Sequence, residues 1–275
     1  SLSSGDPARI PAEKESSRRS LAQIVAMRPK MGFDRPVLVQ YADWLGHVAR
    51  GDLGCSYVTD HPVLSEIAHY FPKTLELALL ASLILVLIAL ALGILSAVFP
   101  GSWIDKLAGG YCFFCVSIPE FWIGLLLLYF FGARLGLVSV IGNNNAAMPV
   151  LPAVTMAVCG AGIYVRLVRA SMEEALNRGY IRAVRAKGVP ELWVVVKHAL
   201  KNAVLPVINK LGMGLGHFLA GSAFIESIFS WHGMGHFALE SIKLKDYPVI
   251  QGYVLFVSLL TVCFHPAVVV ICSMI

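Results

Sequence analysis

The run LELALLASLILVLIALALGILSAVF, Leu75 to Phe99, carries one charged side chain in 25 residues, Glu76 near its start. About 20 mostly apolar residues suffice for a helix to cross the hydrocarbon core of a bilayer. No face of this run is polar, so it reads as a span rather than a surface helix. Four more segments follow: Leu107 to Phe131, containing Pro119 and Glu120; Ala146 to Val168; Val204 to Phe229, with Lys210, His217 and Glu226 inside; and Tyr247 to Ile275. Five spans predict an all-α membrane protein, a helical transmembrane bundle.

Composition points the same way. Of 275 residues, 57% are hydrophobic and 14% charged, against about 45–50% and about 25% in soluble domains. Sixteen of the 39 charges fall in the first 71 residues, and 23 are spread over the remaining 204. The chain thus divides into a polar segment, 1–71, and a membrane domain, 72–275. A net charge of +5, with no basic stripe interleaved with aromatics, excludes a nucleic-acid partner. Five of the six cysteines (Cys112, Cys115, Cys159, Cys263, Cys272) lie in apolar runs and read as small buried hydrophobes; Cys55 lies in the polar part.

Sidedness follows from the loops, since short cytoplasmic loops are enriched in Lys and Arg. Arg166 to Asn202 holds eight of the 22 basic residues against Glu173, Glu174 and Glu191. The segment 132–146 has Arg134 alone, and 230–246 balances Lys243 and Lys245 with Glu240 and Asp246. The basic loop is therefore expected inside, with residues 1–71 outside as a cap of short helices, one of them in Pro36 to Leu45. Ser1 opens in mid-pattern. An outer 1–71 needs an earlier span to deliver it, so a sixth helix is expected before Ser1.

The basic loop is patterned. LNRGYIRAVRAK, 176–187, is followed by Gly188 and Pro190. Late basic residues, then Gly, then Pro make a helix stop signal, and Pro190 suits the first turn of the next helix. The expectation is a short helix across the membrane axis, a glycine corner and a helix rising into the fourth span. Such an elbow can pass force from a soluble partner to the bundle.

These residues carry a resemblance. Arg182-Ala183-Val184-Arg185-Ala186-Lys187-Gly188, then His198-Ala199-Leu200 and on to Pro206, resembles the cytoplasmic signature of permeases of binding-protein-dependent ABC importers, most closely the dipeptide/oligopeptide/nickel branch. Arg182 stands where many importers have Glu, a departure that this branch tolerates. Gly5-Asp6-Pro7-Ala8, Gly51-Asp52-Leu53-Gly54 with Ser56, Pro119-Glu120-Phe121-Trp122, Glu226-Ser227-Ile228-Phe229 and Asp246 to Gly252 are similar to further motifs of the branch. The resemblance implies a pore-forming, multi-pass subunit of a bacterial inner membrane. It would be paired with a second permease, two ATPases and an extracytoplasmic binding protein. It assigns ATPase coupling to a loop of about 170–203, and within it to Tyr180, Arg182, Ala183, Arg185, Ala186, Lys187 and Gly188. No G-x-x-x-x-G-K-[ST] occurs in the chain. ATP and Mg are thus expected on the partners, with no cofactor or catalytic residue here.

Other residues have two readings each. Gly212, Gly214, Gly216 and Gly221 let helices approach closely, within the chain or against the partner permease. Ionisable residues in spans face cavities or partners: His217, Glu120 and Glu226 are the candidates for a translocation pathway, with a structural histidine the alternative for His217. Lys210 could snorkel to the inner interface. His232-Gly233-Met234-Gly235-His236 follows the fourth span. In the family the position of His232 is usually Pro and that of His236 often basic. Two imidazoles beside a Met sulfur suit Ni²⁺; a glycine-rich turn is the alternative. An ion-coupled carrier should show repeats or mid-membrane acids, and an intramembrane metalloprotease H-E-x-x-H; the chain shows neither. The expected cargo is nickel or a nickel chelate, or else a short peptide.

Overall fold

The computed structural model describes residues 36–136 and 149–273, without the side chains of Val37, Leu215, His217, Ala220, His265 and residues 267–273. The Gly5–Ala8 motif and the first half of the expected cap lie outside the described residues. Among the described residues the regular structure is helical, apart from one isolated antiparallel bridge between Cys55 and Pro62. Helix α1, Val37–Val48, is the one expected in the polar segment. Helix α2, Val63–Val98, has 36 residues, or about 54 Å at 1.5 Å per residue. It begins well before the apolar run, and Pro72 lies inside it.

Apolar on every face, α2 still has an inside. Leu77, Ala78, Ala81, Leu85 and Ala89 recur every three to four residues and are buried, whereas Leu79, Leu83 and Leu87 are 55–60% exposed. That second stripe is apolar surface on the outside of the bundle. Between lipid and a neighbouring helix a leucine gains little by burial, so close contact of small residues must hold the bundle. At Gly93 a Cβ would come within 2.6 Å of Val168 on a neighbouring helix.

Helix α3, Trp103–Ser117, starts on a Ser102 cap whose hydroxyl accepts from the Asp105 amide at 3.3 Å. Helix α4, Glu120–Leu127, continues as a π-helical turn over Leu128–Arg134. The second span was expected as one crossing, Leu107 to Phe131. Instead the chain turns by 102° between α3 and α4. Pro119 has no N–H and forces the preceding Ile118 into extended backbone, φ −110° and ψ 130°.

Helix α5, Val150–Asn177, packs against α2, α3 and α4. Because it runs unbroken to Asn177, Arg166 and Arg169 belong to this helix and not to a loop. Arg169 reaches across to Asp105, Nη2 to Oδ2 at 3.1 Å, and ties the inner ends of α5 and α3 together. Helix α6 is Gly179–Ala186. Helix α7 is α-helical over Glu191–Trp193, π-helical over Val194–Ala199 and α-helical again over Leu200–Ile228. Helix α8, Met234–Lys243, and helix α9, Tyr247–Ser273, complete the chain. Among the described residues α2, α5 and Tyr247–Phe264 of α9 are long and apolar enough to cross a membrane, and the bent α3–α4 pair makes a fourth crossing if counted as one. The long helix of α7 has 29 residues but carries Lys210 and Glu226 within it.

Candidate functional site

The basic elbow is built around one buried peg. Ile181 of α6 is fully buried, in the same core as Met172, Ala175, Val194 and Ala199. Arg182, Ala183, Ala186 and Lys187 stand exposed on the outside of the helix. Gly188 follows with φ +78°, a left-handed conformation that side chains resist, and a Cβ there would meet nothing within 4 Å. Pro190 is the cap preceding α7 rather than its first helical residue, with ψ 140°.

Two of the seven residues expected to carry coupling also brace the elbow. The Tyr180 hydroxyl accepts from Asn202 Nδ2 at 2.7 Å and donates to the His198 carbonyl at 3.2 Å, joining α6 to α7. Arg185 closes the corner across Gly188 with a two-pronged contact to Glu191, at 2.5 and 3.0 Å. The Arg185 guanidinium holds the Glu191 carboxyl below the usual range by hydrogen bond and charge. Beside this pair lies a groove of about 320 Å³ lined by Ala97, Pro100, Glu173 and Leu176. The elbow can therefore present a basic rim while its angle is fixed from within.

At the opposite end of α7 sits a buried polar knot. Glu226, fully enclosed, accepts from Thr74 at 2.8 Å, Ser222 at 3.0 Å and the His236 amide at 2.8 Å. The same Thr74 hydroxyl accepts from the Met234 amide at 2.7 Å, and Trp231 Nε1 donates to the Lys73 carbonyl at 3.0 Å. Glu226 was expected on the translocation pathway. Here its carboxylate is consumed in fastening α7 and α8 to α2. Nearby, buried Asp246 accepts from Ser56 Oγ at 2.5 Å and the Tyr57 amide at 3.1 Å, pinning the segment before α2 to the turn before α9. Burial and this carboxylate push the Tyr57 phenol up from its ordinary range. Sequence reasoning missed Thr74 as a site residue and named Ser56 and Asp246 only as parts of separate motifs; for Glu226 the signal that a partner must exist was an acid inside an otherwise apolar helix.

His232 and His236 do come together, with ring centroids 5.2 Å apart. Met234 does not join them: it is fully buried against Val63, Ile67, Val249 and Val257. Its side chain serves packing, which removes the thioether from the expected ligand set. Among the described residues no group of three His, Cys, Asp or Glu side chains is placed to hold a metal.

The glycines of α7 make contacts inside the chain. A Cβ at Gly216 would lie 2.5 Å from Thr261 Oγ1 on α9, and one at Gly214 would strike the Tyr164 hydroxyl on α5. Gly212 is buried in the same helix. Glu120 and Lys210 open onto a cavity of about 500 Å³ between α3, α5 and α7, lined also by Cys115, Met156, Cys159, Tyr164, Met213 and Phe218.

Comparison with known proteins gives a consistent answer. Residues 89–271 match the family described as binding-protein-dependent transport system inner membrane component. The glutathione transport system permease protein GsiC of Salmonella typhimurium LT2 is 39% identical over 256 residues, 93% of this chain and 82% of the relative. GsiC of Escherichia coli K12 is 37% identical over the same length and coverage. An amino acid ABC transporter solved with histidines superposes with a TM-score of 0.60 at 19% identity, covering 76% of this chain and 94% of that one. An inward facing MetNI methionine ABC transporter gives 0.56 at 20% identity, covering 75% and 94%. At such identities these two likenesses concern the fold.

Proposed function

The chain belongs to the binding-protein-dependent transport system inner membrane components, as a multi-pass permease subunit of an ABC importer, and from that premise we propose that its cargo is a short peptide of the glutathione type. It transports without catalysing; ATP hydrolysis belongs to partner subunits. The observation that carries the cargo is the relationship to glutathione permeases along nearly the whole chain. A second permease completes the pore, two ATPases seat against the exposed edge of α6, and a binding protein delivers cargo to the side of α8 and the Asp246 turn. The described segment before α2, residues 36–62, lies on that same outer side.

The elbow supports this assignment of sides. Arg182, Ala183, Ala186 and Lys187 are free to meet a soluble partner, while Tyr180, Arg185 and Gly188 fix the angle at which that partner's motion enters α7. Nickel remains a second reading, favoured by the closeness of His232 and His236. Uptake into proteoliposomes holding the two permeases, the ATPases and the binding protein tests both. ATP-dependent accumulation of labelled glutathione is expected; accumulation of Ni²⁺ without glutathione would replace the peptide reading.

A further inference from the structure

The cavity between α3, α5 and α7 has an uncommon lining for membrane depth: an acid, a base, two thiols and otherwise apolar or aromatic surface. Ionisable groups cost free energy in hydrocarbon and persist where they face a cavity or a partner. Among the described residues neither Glu120 nor Lys210 has an ion-pair partner. Both line the same cavity of about 500 Å³, together with Cys159 and Tyr164, whose hydroxyl donates to the backbone carbonyl of Lys210 at 3.1 Å. An extended dipeptide spans about 7 Å between its ends, at 3.3–3.6 Å per residue. A zwitterion of two or three residues thus suits both the volume of the cavity and the signs of its two charges.

We propose that this cavity is a transit site for zwitterionic peptide cargo, in which Glu120 receives the ammonium end and Lys210 the carboxylate end. The inference rests on the peptide reading above and adds the place and chemistry of contact. It also links cargo to drive. Lys210 stands on α7, which rises directly from the elbow, and Glu120 on α4, so a change of elbow angle alters the distance between Lys210 and Glu120 and loosens one end of the cargo.

Cys159 is a built-in reporter, partly buried in the cavity wall. The assembled importer is treated with N-ethylmaleimide, and modification of Cys159 is quantified by peptide mass spectrometry. The probe is S-methylglutathione, which has no thiol of its own; the control is its N-acetyl diester, which has no charged ends. Uptake of S-methylglutathione into proteoliposomes is measured in parallel. S-methylglutathione should slow modification of Cys159 and the capped control should not. Glu120→Gln and Lys210→Met should each abolish that protection and raise the half-saturating concentration for uptake about tenfold, the loss of one charge-assisted contact. Lys210→Arg should retain both. If the parent transports S-methylglutathione but Cys159 is unprotected, or is protected equally by the capped control, or both charge variants behave as the parent, the cavity assignment is overturned and the peptide reading stands. If the parent fails to transport S-methylglutathione at all, both are overturned.

Discussion

Replacing Gly188 by alanine should uncouple the importer as effectively as replacing it by tryptophan. The sequence alone suggests that bulk would be the problem. The structure shows open space around the position and a φ of +78°, so the penalty is conformational and is set by the first carbon of the side chain. Left-handed backbone costs an L-residue about 1–2 kcal/mol. The contact spanning the corner, Arg185 with Glu191, has side chains 41% and 53% exposed, and exposed pairs contribute about 0.2–1 kcal/mol. The strain therefore exceeds the strap. A shift of one to two kcal/mol changes the ratio of formed to opened elbow by about 5–30-fold. Gly188→Asn should retain more coupling, because asparagine tolerates the left-handed region. The assay is peptide transported per ATP hydrolysed in the reconstituted complex. Full coupling in the alanine variant with failure of the tryptophan variant would show that bulk matters and the backbone does not, and full coupling in both would remove the elbow from the mechanism.

Glu226→Ala leaves the Thr74 and Ser222 hydroxyls and the His236 amide without their shared acceptor, at about 1–3 kcal/mol for each buried group left unmet; a thermal midpoint in detergent equal to the parent's would refute the knot, and Glu226→Gln should lie between the two. Burial and the adjacent His232 imidazole hold His236 below its ordinary pKa of 6.5. The folded chain then binds fewer protons than the unfolded chain just below pH 6.5, so stability is complete above that pH and falls as pH drops through it. His236→Gln should flatten the dependence of the midpoint between pH 7.5 and 5.5, and parallel curves would contradict the assignment. A cysteine placed at Arg182 should react only with membrane-permeant reagent or in inverted vesicles, and one at Lys243 should react from outside; the reverse pattern would invert the orientation.

The elements readable from sequence are those whose cause is local. Twenty-five apolar residues make α2 whatever surrounds them, and Lys187, Gly188 and Pro190 end one helix and begin another within four positions. Pro119 was read inside a single span, and the 102° turn there depends on where α4 finds Thr155 and Ile225, beside Gly124. Arg166 and Arg169 were assigned to a loop because charge reports a side of the membrane and not a backbone conformation. Glu226 pairs with a threonine 152 positions away, and Asp246 with a serine 190 away. No spacing rule joins residues that far apart, so the acid was visible and its employment was not. In α7 the small residues were visible too, but not that Gly214 meets Tyr164 and Gly216 meets Thr261.

The two ends of α7 are fastened unequally. At the Glu226 end, enclosed hydrogen bonds from Glu226 and Trp231 anchor it to α2; at the elbow end its polar restraints are the exposed contacts of Tyr180 and Arg185, beside the apolar packing of Val194 and Ala199 with Ile181. A rod held at one end swings about that end. From Glu226 to Lys210 is about 24 Å and to Leu200 about 39 Å at 1.5 Å per residue. A tilt of about 5° thus moves the cytoplasmic tip by about 3 Å and the level of Lys210 by about 2 Å, while the external mouth stays almost still. The helix behaves as a lever with its fulcrum on the outer face, and distances from labels on α2 to either end of α7 through the ATP cycle would read that asymmetry directly.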